Sequence, residues 1–149
     1  MRTASELDRI SREIIGGAIA IHRALGPGCF ESAYQPCLEY ELLKRGLQFQ
    51  AKTPLTLRYG EVVIPRAYEA DLIVERRVIV EVKAIAQLAP IHVRQLQTYL
   101  RLSGCPLGLI LNFGELTLVD GVRRMVNSFP EDRHSGLGIT PSAPPISGT

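Results

Sequence analysis

The sequence predicts an α/β or α+β domain, a mixed β-sheet with helices packed on it, and three observations carry that expectation. Apolar residues recur at helical spacing through the first part of the chain. From Thr53 onward the period changes to that of strands. A further helical pattern then separates the strand VIVEV from the continuous apolar run LGLILNF. A helix that crosses over between two strands implies at least one parallel pair. The order read from the pattern is helix, helix, three strands, helix, strand.

Ser5 is positioned to cap the first helix, with Asp8 three residues on in capping-box fashion. Leu7, Ile10, Ile14, Ala18, Ile21 and Leu25 form one apolar stripe, and Gly26-Pro27-Gly28 ends the helix. A second helix is expected from Phe30 to Arg45, capped by Gly46, with Tyr34, Leu38 and Leu42 on its inner face. Pro36 falls inside it, where it removes a backbone bond and can kink the chain. PLTLRY alternates as a strand should, and Gly60-Glu61 marks a turn. Val62 to Val74 and Val78 to Val82 supply two more strands around Glu75-Arg76-Arg77. Pro90 opens a third helix that runs to about Leu102, and Ser103-Gly104 closes it. LGLILNF reads as a strand buried on both faces. Leu116 to Val119 or Val122 to Val126 offers a last short strand. Residues 1–129 make a single domain on this reading, and the Pro-, Ser- and Gly-rich residues 130–149 a disordered tail.

Composition narrows the function classes. A chain of 149 residues is long enough to bury its own core, and a net charge of +2 does not by itself argue for nucleic acid. Lys44, Lys52 and Lys83 are the only lysines, so Lys83 stands out inside an apolar strand. Cys29, Cys37 and Cys105 show neither CxxC nor Cys/His ligand spacing, which argues against a disulfide framework and structural zinc. The N-terminus carries Glu6, Asp8 and Glu13 and does not resemble a secretory signal, and IIGGAIAI is too short to span a bilayer. A cytoplasmic protein with no membrane association is the expectation.

The chemistry gathers in EADLIVERRVIVEVKAI, where Asp71, Glu81 and Lys83 interrupt runs of Leu, Ile and Val. Residues two apart on a strand share a face, so Glu81 and Lys83 point the same way. Asp71 joins them only if the loop has odd length or a bulge: pairing Val74 with Val78 would set Asp71 opposite Glu81, and a two-residue loop would turn it away. Two facing carboxylates repel. Either Lys83 serves as a counter-ion, or a divalent cation such as Mg²⁺ sits between the acids, as one or two carboxylates, waters and phosphates suffice for it.

Asp71 followed by Glu81-Val82-Lys83 after a short hairpin resembles the PD-(D/E)xK nuclease motif, and the element order matches the restriction-endonuclease-like core of that superfamily. Gly28-Cys29-Phe30-Glu31-Ser32-Ala33-Tyr34 reads G-x-x-E-x-x-Y, and the chain resembles the GxxExxY family of the superfamily over about residues 5 to 126. The likeness continues through the segment from Pro54 to Gly60, ADLIV, VIVEVKA, H-x-x-Q-x-x-T-Y-L and LGLILNFG. Ala70 stands where the motif has its proline, a position that contributes no ligand.

The resemblance implies a nuclease that hydrolyses phosphodiester bonds with Mg²⁺, or Mn²⁺ in its place. Asp71 and Glu81 would be the principal metal ligands, helped by the Val82 carbonyl and by Glu31, with Lys83 as the catalytic lysine. Gln95 and Tyr99, four apart on the third helix, resemble the Q-x-x-x-Y element that contacts substrate, with His92 one turn before Gln95. Read without the family, Glu31 is an acid favoured near a helix N-terminus and Tyr34 a core aromatic. The implied partner is nucleic acid, DNA before RNA, with Arg58, Arg66, Arg76, Arg77, Arg94 and Arg101 available for phosphates. A homodimer or larger complex fits the same reading. The alternative is a catalytically silent nuclease-fold protein, acting as an interaction or nucleic-acid-binding module.

Overall fold

The computed structural model describes residues 4–128. Helices α1 (Ala4–Leu25) and α2 (Glu31–Lys44) lead into strands β1 (Phe49–Tyr59), β2 (Val62–Val74) and β3 (Val78–Lys83). Helix α3 (Pro90–Ser103) carries the chain to β4 (Leu107–Asn112), and a 3-10 turn at Val119–Gly121 precedes β5 (Val122–Val126). The sheet runs β1-β2-β3-β4-β5 in space. Only β3 and β4 are parallel, joined through α3, and the other neighbours are antiparallel. The last strand is thus Val122–Val126, not Leu116–Val119. The expected tail from Pro130 to Thr149 lies outside the described residues.

Two cores sandwich the sheet. Ile10, Ile14, Ala18 and Ile21 of α1, with Tyr34, Leu38 and Leu42 of α2, pack against Val78, Val80 and Val82 of β3 and Leu107, Leu109 and Leu111 of β4. On the other face Leu96 and Leu100 of α3 meet Ile73, Ile79 and Ile110. Each fully buried aliphatic side chain contributes roughly 1.5–3 kcal/mol. The period-2 split of β3 and β4 between two helical layers is why both strands read as unbroken apolar runs. The stripe on α1 ends sooner than expected, because Leu25 is 45% exposed at the C-terminus.

Local chemistry sets the helix ends. Ser5 lies inside α1 and not at its cap, because the helix is already formed at Ala4; Asp8 instead pairs with Arg124 of β5. Helix α2 begins at Glu31, and Pro36 sits beyond its first turn on an exposed face without breaking it. The amide that Pro36 lacks would have bonded the carbonyl of Ser32, which is itself exposed, so water can satisfy it. At the other end Leu47 N–H donates to Leu42 O at 2.9 Å and Gly46 N–H to Leu43 O at 3.0 Å. With Gly46 at φ +77 this is a Schellman closure, and it feeds the chain directly into β1. Cys29, Cys37 and Cys105 are all free. Among the described residues no helix is long and apolar enough to cross a membrane.

The β2–β3 connection decides which way Asp71 faces. Arg77 N–H donates to Val74 O at 3.0 Å, and Glu75 and Arg76 have φ of +52 and +58. Both central residues are therefore left-handed, as in a type I′ turn. A plain two-residue turn of this kind would pair Val74 with Arg77. The strands instead pair Val74 with Val78, Ile73 with Ile79 and Leu72 with Val80, which leaves Arg77 as an extra, bulged residue. Arg77 is 9% exposed and its guanidinium binds Glu6 at 2.6 Å, so it is committed to α1 and not to phosphate. Glu75 is held by Gln48, which accepts from its N–H at 2.8 Å and donates from its own N–H to the carboxylate at 3.0 Å.

Left-handed backbone is unfavourable for a residue with a Cβ by roughly 1–2 kcal/mol, and glycine relieves that at some entropic cost in the unfolded chain. Arg76→Gly is accordingly expected to stabilise the fold by about 0.5–1 kcal/mol. Urea denaturation checks this: the midpoint should rise with the slope unchanged, and a fall would mean that Arg76 makes a contact worth more than its strain.

Candidate active site

Continuing the β2–β3 register by one step sets Asp71 opposite Glu81, and the hydrogen bonds agree. Asp71 N–H donates to Glu81 Oε1 at 3.3 Å, and Val82 N–H donates to Asp71 Oδ2 at 2.9 Å. The odd-length condition read from the sequence is met through the Arg77 bulge. Glu81 shares its face with Ile79, which packs under α3, and Lys83 follows on that face. Lys83 O accepts from Phe113 N–H of the β4 side, so the alternate residue Val82 turns its own N–H and C=O toward Asp71. Two carboxylates thus face each other, with the Val82 N–H bonded to Asp71.

Electrostatics reflect that convergence. Glu81 is only 6% exposed. Burial, and then the facing Asp71 carboxylate, push its carboxyl up from the ordinary 4.5 to about 9, with Lys83 opposing. Lys83 is half-buried and forms no salt bridge among the described residues, so it is not a contact counter-ion for either acid. The Tyr99 phenol is pushed up to about 12 by burial, then by the charges of Glu81 and Asp71. Tyr68 packs against Tyr99 with ring centroids 5.5 Å apart.

The remaining predicted site residues lie on α2 and α3. Glu31 is exposed and is the first residue of α2. Among the described residues no group of three or more His, Cys, Asp or Glu side chains is placed to hold a metal ion, so Asp71 and Glu81 come together without Glu31. Gln95 is exposed one turn before Tyr99. His92 caps α3: its Nδ1 accepts from Ala89 N–H at 2.9 Å, which accounts for the ring without a ligand. Tyr34 is fully buried and stacks on Phe113 at 4.3 Å, as a core aromatic should. Its hydroxyl also donates to Gly26 O and accepts from Cys29 N–H at 3.1 Å, tying the α1–α2 loop down just before Glu31.

Two functional neighbours escaped the sequence reading. Gln35, one turn after Glu31, donates from Nε2 to the Asp71 carbonyl at 3.0 Å and ties α2 to β2 at the acid itself. Asn112, fully buried and paired with Lys83 across β3 and β4, clamps the chain that leaves the lysine. Its Oδ1 accepts from Ile85 N–H at 3.0 Å and Gly114 N–H at 3.1 Å, and its Nδ2 donates to Ile85 O at 3.0 Å. Gly114 is required there, since a Cβ would lie 2.1 Å from Ile85 O. The run LNFG held the only signal, an asparagine ending an otherwise apolar strand.

A hard divalent cation fits this donor set. Mg²⁺ takes oxygen ligands and needs only one or two carboxylates beside water and phosphate. Burial and the facing Asp71 raise the Glu81 carboxyl to about 9, and a cation between the two acids would favour its charged form. A family model describing the PD-(D/E)XK nuclease superfamily matches residues 8–125, and the chain belongs to that superfamily. The five-stranded mixed sheet with three helices is its restriction-endonuclease-like fold. No curated protein and no solved structure matches the chain.

Two outcomes are expected. Between about pH 4.5 and about 9 the folded chain keeps a proton on Glu81 that the unfolded chain has lost, so stability falls as pH rises through that window. With divalent ions chelated, Glu81→Gln should flatten this decline and melt above the wild type, by a margin that widens toward pH 9; thermal melts across the range check it. Asn112→Ala leaves the Ile85 and Gly114 amides without an acceptor and should cost about 2–4 kcal/mol in chemical denaturation.

Proposed function

We propose that the protein is a divalent-metal-dependent nuclease of the GxxExxY branch, hydrolysing phosphodiester bonds of nucleic acid, with DNA as the substrate class. The observation that supports this best is the facing pair Asp71 and Glu81, with Lys83 on the same face and outside any salt bridge. Asp71, Glu81 and the Val82 carbonyl would hold Mg²⁺ or Mn²⁺. When bound, such an ion polarises a phosphoryl oxygen and lowers the pKa of its water.

The chain's own residues supply the rest. Lys83 orients the attacking water and offsets charge that develops on the phosphate. Gln35 fixes the backbone of Asp71 from behind, and Asn112 fixes the strand end that carries Lys83. Tyr99 keeps its proton at neutral pH, so its hydroxyl is a standing donor to a phosphate oxygen. Gln95 extends the substrate edge along the same helix face, and Glu31 borders it from α2 as a water-orienting acid. Sequence specificity would be weak or supplied by a partner, in a homodimer or a larger complex, since the described residues form the nuclease-like fold alone.

The test is cleavage of plasmid and single-stranded DNA in Mg²⁺, in Mn²⁺ and with chelator. Wild type should cleave only with metal, and Lys83→Ala should lose about 10²-fold or more of the rate. Equal background in both proteins would leave the catalytically silent interaction module as the surviving reading.

A further inference from the structure

Two of the chain's three lysines stand on the strands that flank Asp71. Lys83 is on β3, and Lys52 is on β1, the edge strand on the other side of β2. Ala51 pairs with Leu72 and Thr53 with Ala70, so Lys52 between them stands directly across from Asp71. Cross-strand partners lie roughly 4.5–5.5 Å apart at Cα. The two strands that carry the lysines are two spacings apart, about 9–10 Å, with Asp71 on the strand between them.

The backbone of Lys52 is unusual. Its φ is +51, left-handed, in the middle of a strand whose pairing sum is the same on both sides of it. A side chain makes that conformation unfavourable, and glycine would adopt it with less strain. Residues held in such strain gather at functional sites. Edge protection does not account for it: a lysine blunts an edge in ordinary extended backbone, and Pro54 already stands two residues on. Hydrogen bonding does not account for it either, since Asp71 gives its N–H to Glu81 and its carbonyl to Gln35. Lys52 is exposed and lies outside every salt bridge among the described residues. Glu39, one turn past Gln35 on α2, is pushed up by burial, with the charge of Lys52 opposing.

Resting on the nuclease reading of the acid pair, we propose that Lys52 is a substrate contact whose ammonium binds a phosphate flanking the scissile one, on the β1 side of Asp71. Along one strand of B-form DNA a phosphate recurs about every 3.4 Å of helix axis, so the span between the lysine-bearing strands covers about three of them. Lysine suits such a contact, being a compact charge with three donors on a flexible stem that meets phosphate without a fixed angle. A phosphate contact sets the register of the nucleic acid over the acids and carries no sequence information. The lysine is kept, against its backbone strain, for its charge.

The test is the salt dependence of binding. Fluorescein-labelled DNA of 20 nucleotides, single-stranded and as a duplex, is titrated in Mg²⁺ against protein carrying Lys83→Ala, so that cleavage does not consume it. Adding Lys52→Gln should flatten the plot of log Kd against log salt by about 0.9 for the duplex, or about 0.7 for the single strand, the worth of one phosphate. At 0.1 M salt the affinity should fall about 5- to 8-fold. Lys52→Arg should keep both slope and affinity. Lys44→Gln, the same loss of charge at the far end of α2, should leave the slope unchanged. Lys52→Gly should lose the contact while its urea midpoint rises, which a misfolded variant would not do. An unchanged slope in Lys52→Gln, an equal flattening in Lys44→Gln, or no binding of either DNA overturns the proposal. A lower midpoint in Lys52→Gly with an unchanged slope makes the lysine a counter-ion for Glu39 instead. Cleavage by protein with Lys83 intact reports separately on the nuclease. A Lys52-dependent slope without metal-dependent cleavage sinks the nuclease and keeps the phosphate contact. Cleavage with a slope that ignores Lys52 does the reverse.

Discussion

One extra residue in the β2–β3 hairpin determines where the charges of this protein point. Side chains on a strand alternate with period two, so a register shifted by one residue would turn Asp71 away from Glu81. Arg77 supplies the shift, and it does so at the far end of the strands from the acids. Its buried guanidinium is tethered to Glu6 in the first turn of α1. Glu75 is tethered to Gln48, just ahead of β1. The parity of the site is therefore fixed by contacts with two other elements, not by turn propensity. Glu75 and Arg76 are poor residues for the left-handed positions they occupy.

The same end of the sheet that holds the acids is stiffened in ways the core alone would not require. Tyr34 closes the α1–α2 loop, Gln35 ties α2 to Asp71, and Asn112 closes the segment after Lys83. Each clamp uses a side chain to satisfy backbone groups that leave regular structure, where unpaired donors would otherwise be costly. The two apolar layers offset the unfavourable burial of Glu81. The buried residues of β3 and β4 give the domain enough core to tolerate a carboxyl held far from its ordinary protonation range.

What was legible in the sequence was whatever follows a period. The stripe Ile10, Ile14, Ala18, Ile21, the α2 face Tyr34, Leu38, Leu42 and the buried run LGLILN all lie where spacing put them. The odd-loop condition for Asp71 and Glu81 was stated by parity alone. Single polar residues were not legible. Gln35 looks like any helix-surface glutamine, because its partner lies 36 residues away on β2. Asn112 looks like a strand terminator until its three bonds are seen. His92 was read from its spacing before Gln95, which does not announce that its Nδ1 also caps α3. Ser5 failed as a cap since nothing local says that the helix already runs through it.

The state of Glu81 separates the two meanings that an acid-x-lysine triplet can carry. Had Lys83 been a structural counter-ion, a contact ion pair would have favoured the charged carboxylate and held Glu81 down. Among the described residues the lysine instead stays out of every salt bridge, and its through-space effect is outweighed by burial and by Asp71. Folding sets the two acids against each other and gives Asp71 the Val82 N–H as a donor. The raised Glu81 carboxyl is the mark of burial and of a facing acid, and the lysine beside it is not locked into an ion pair with either.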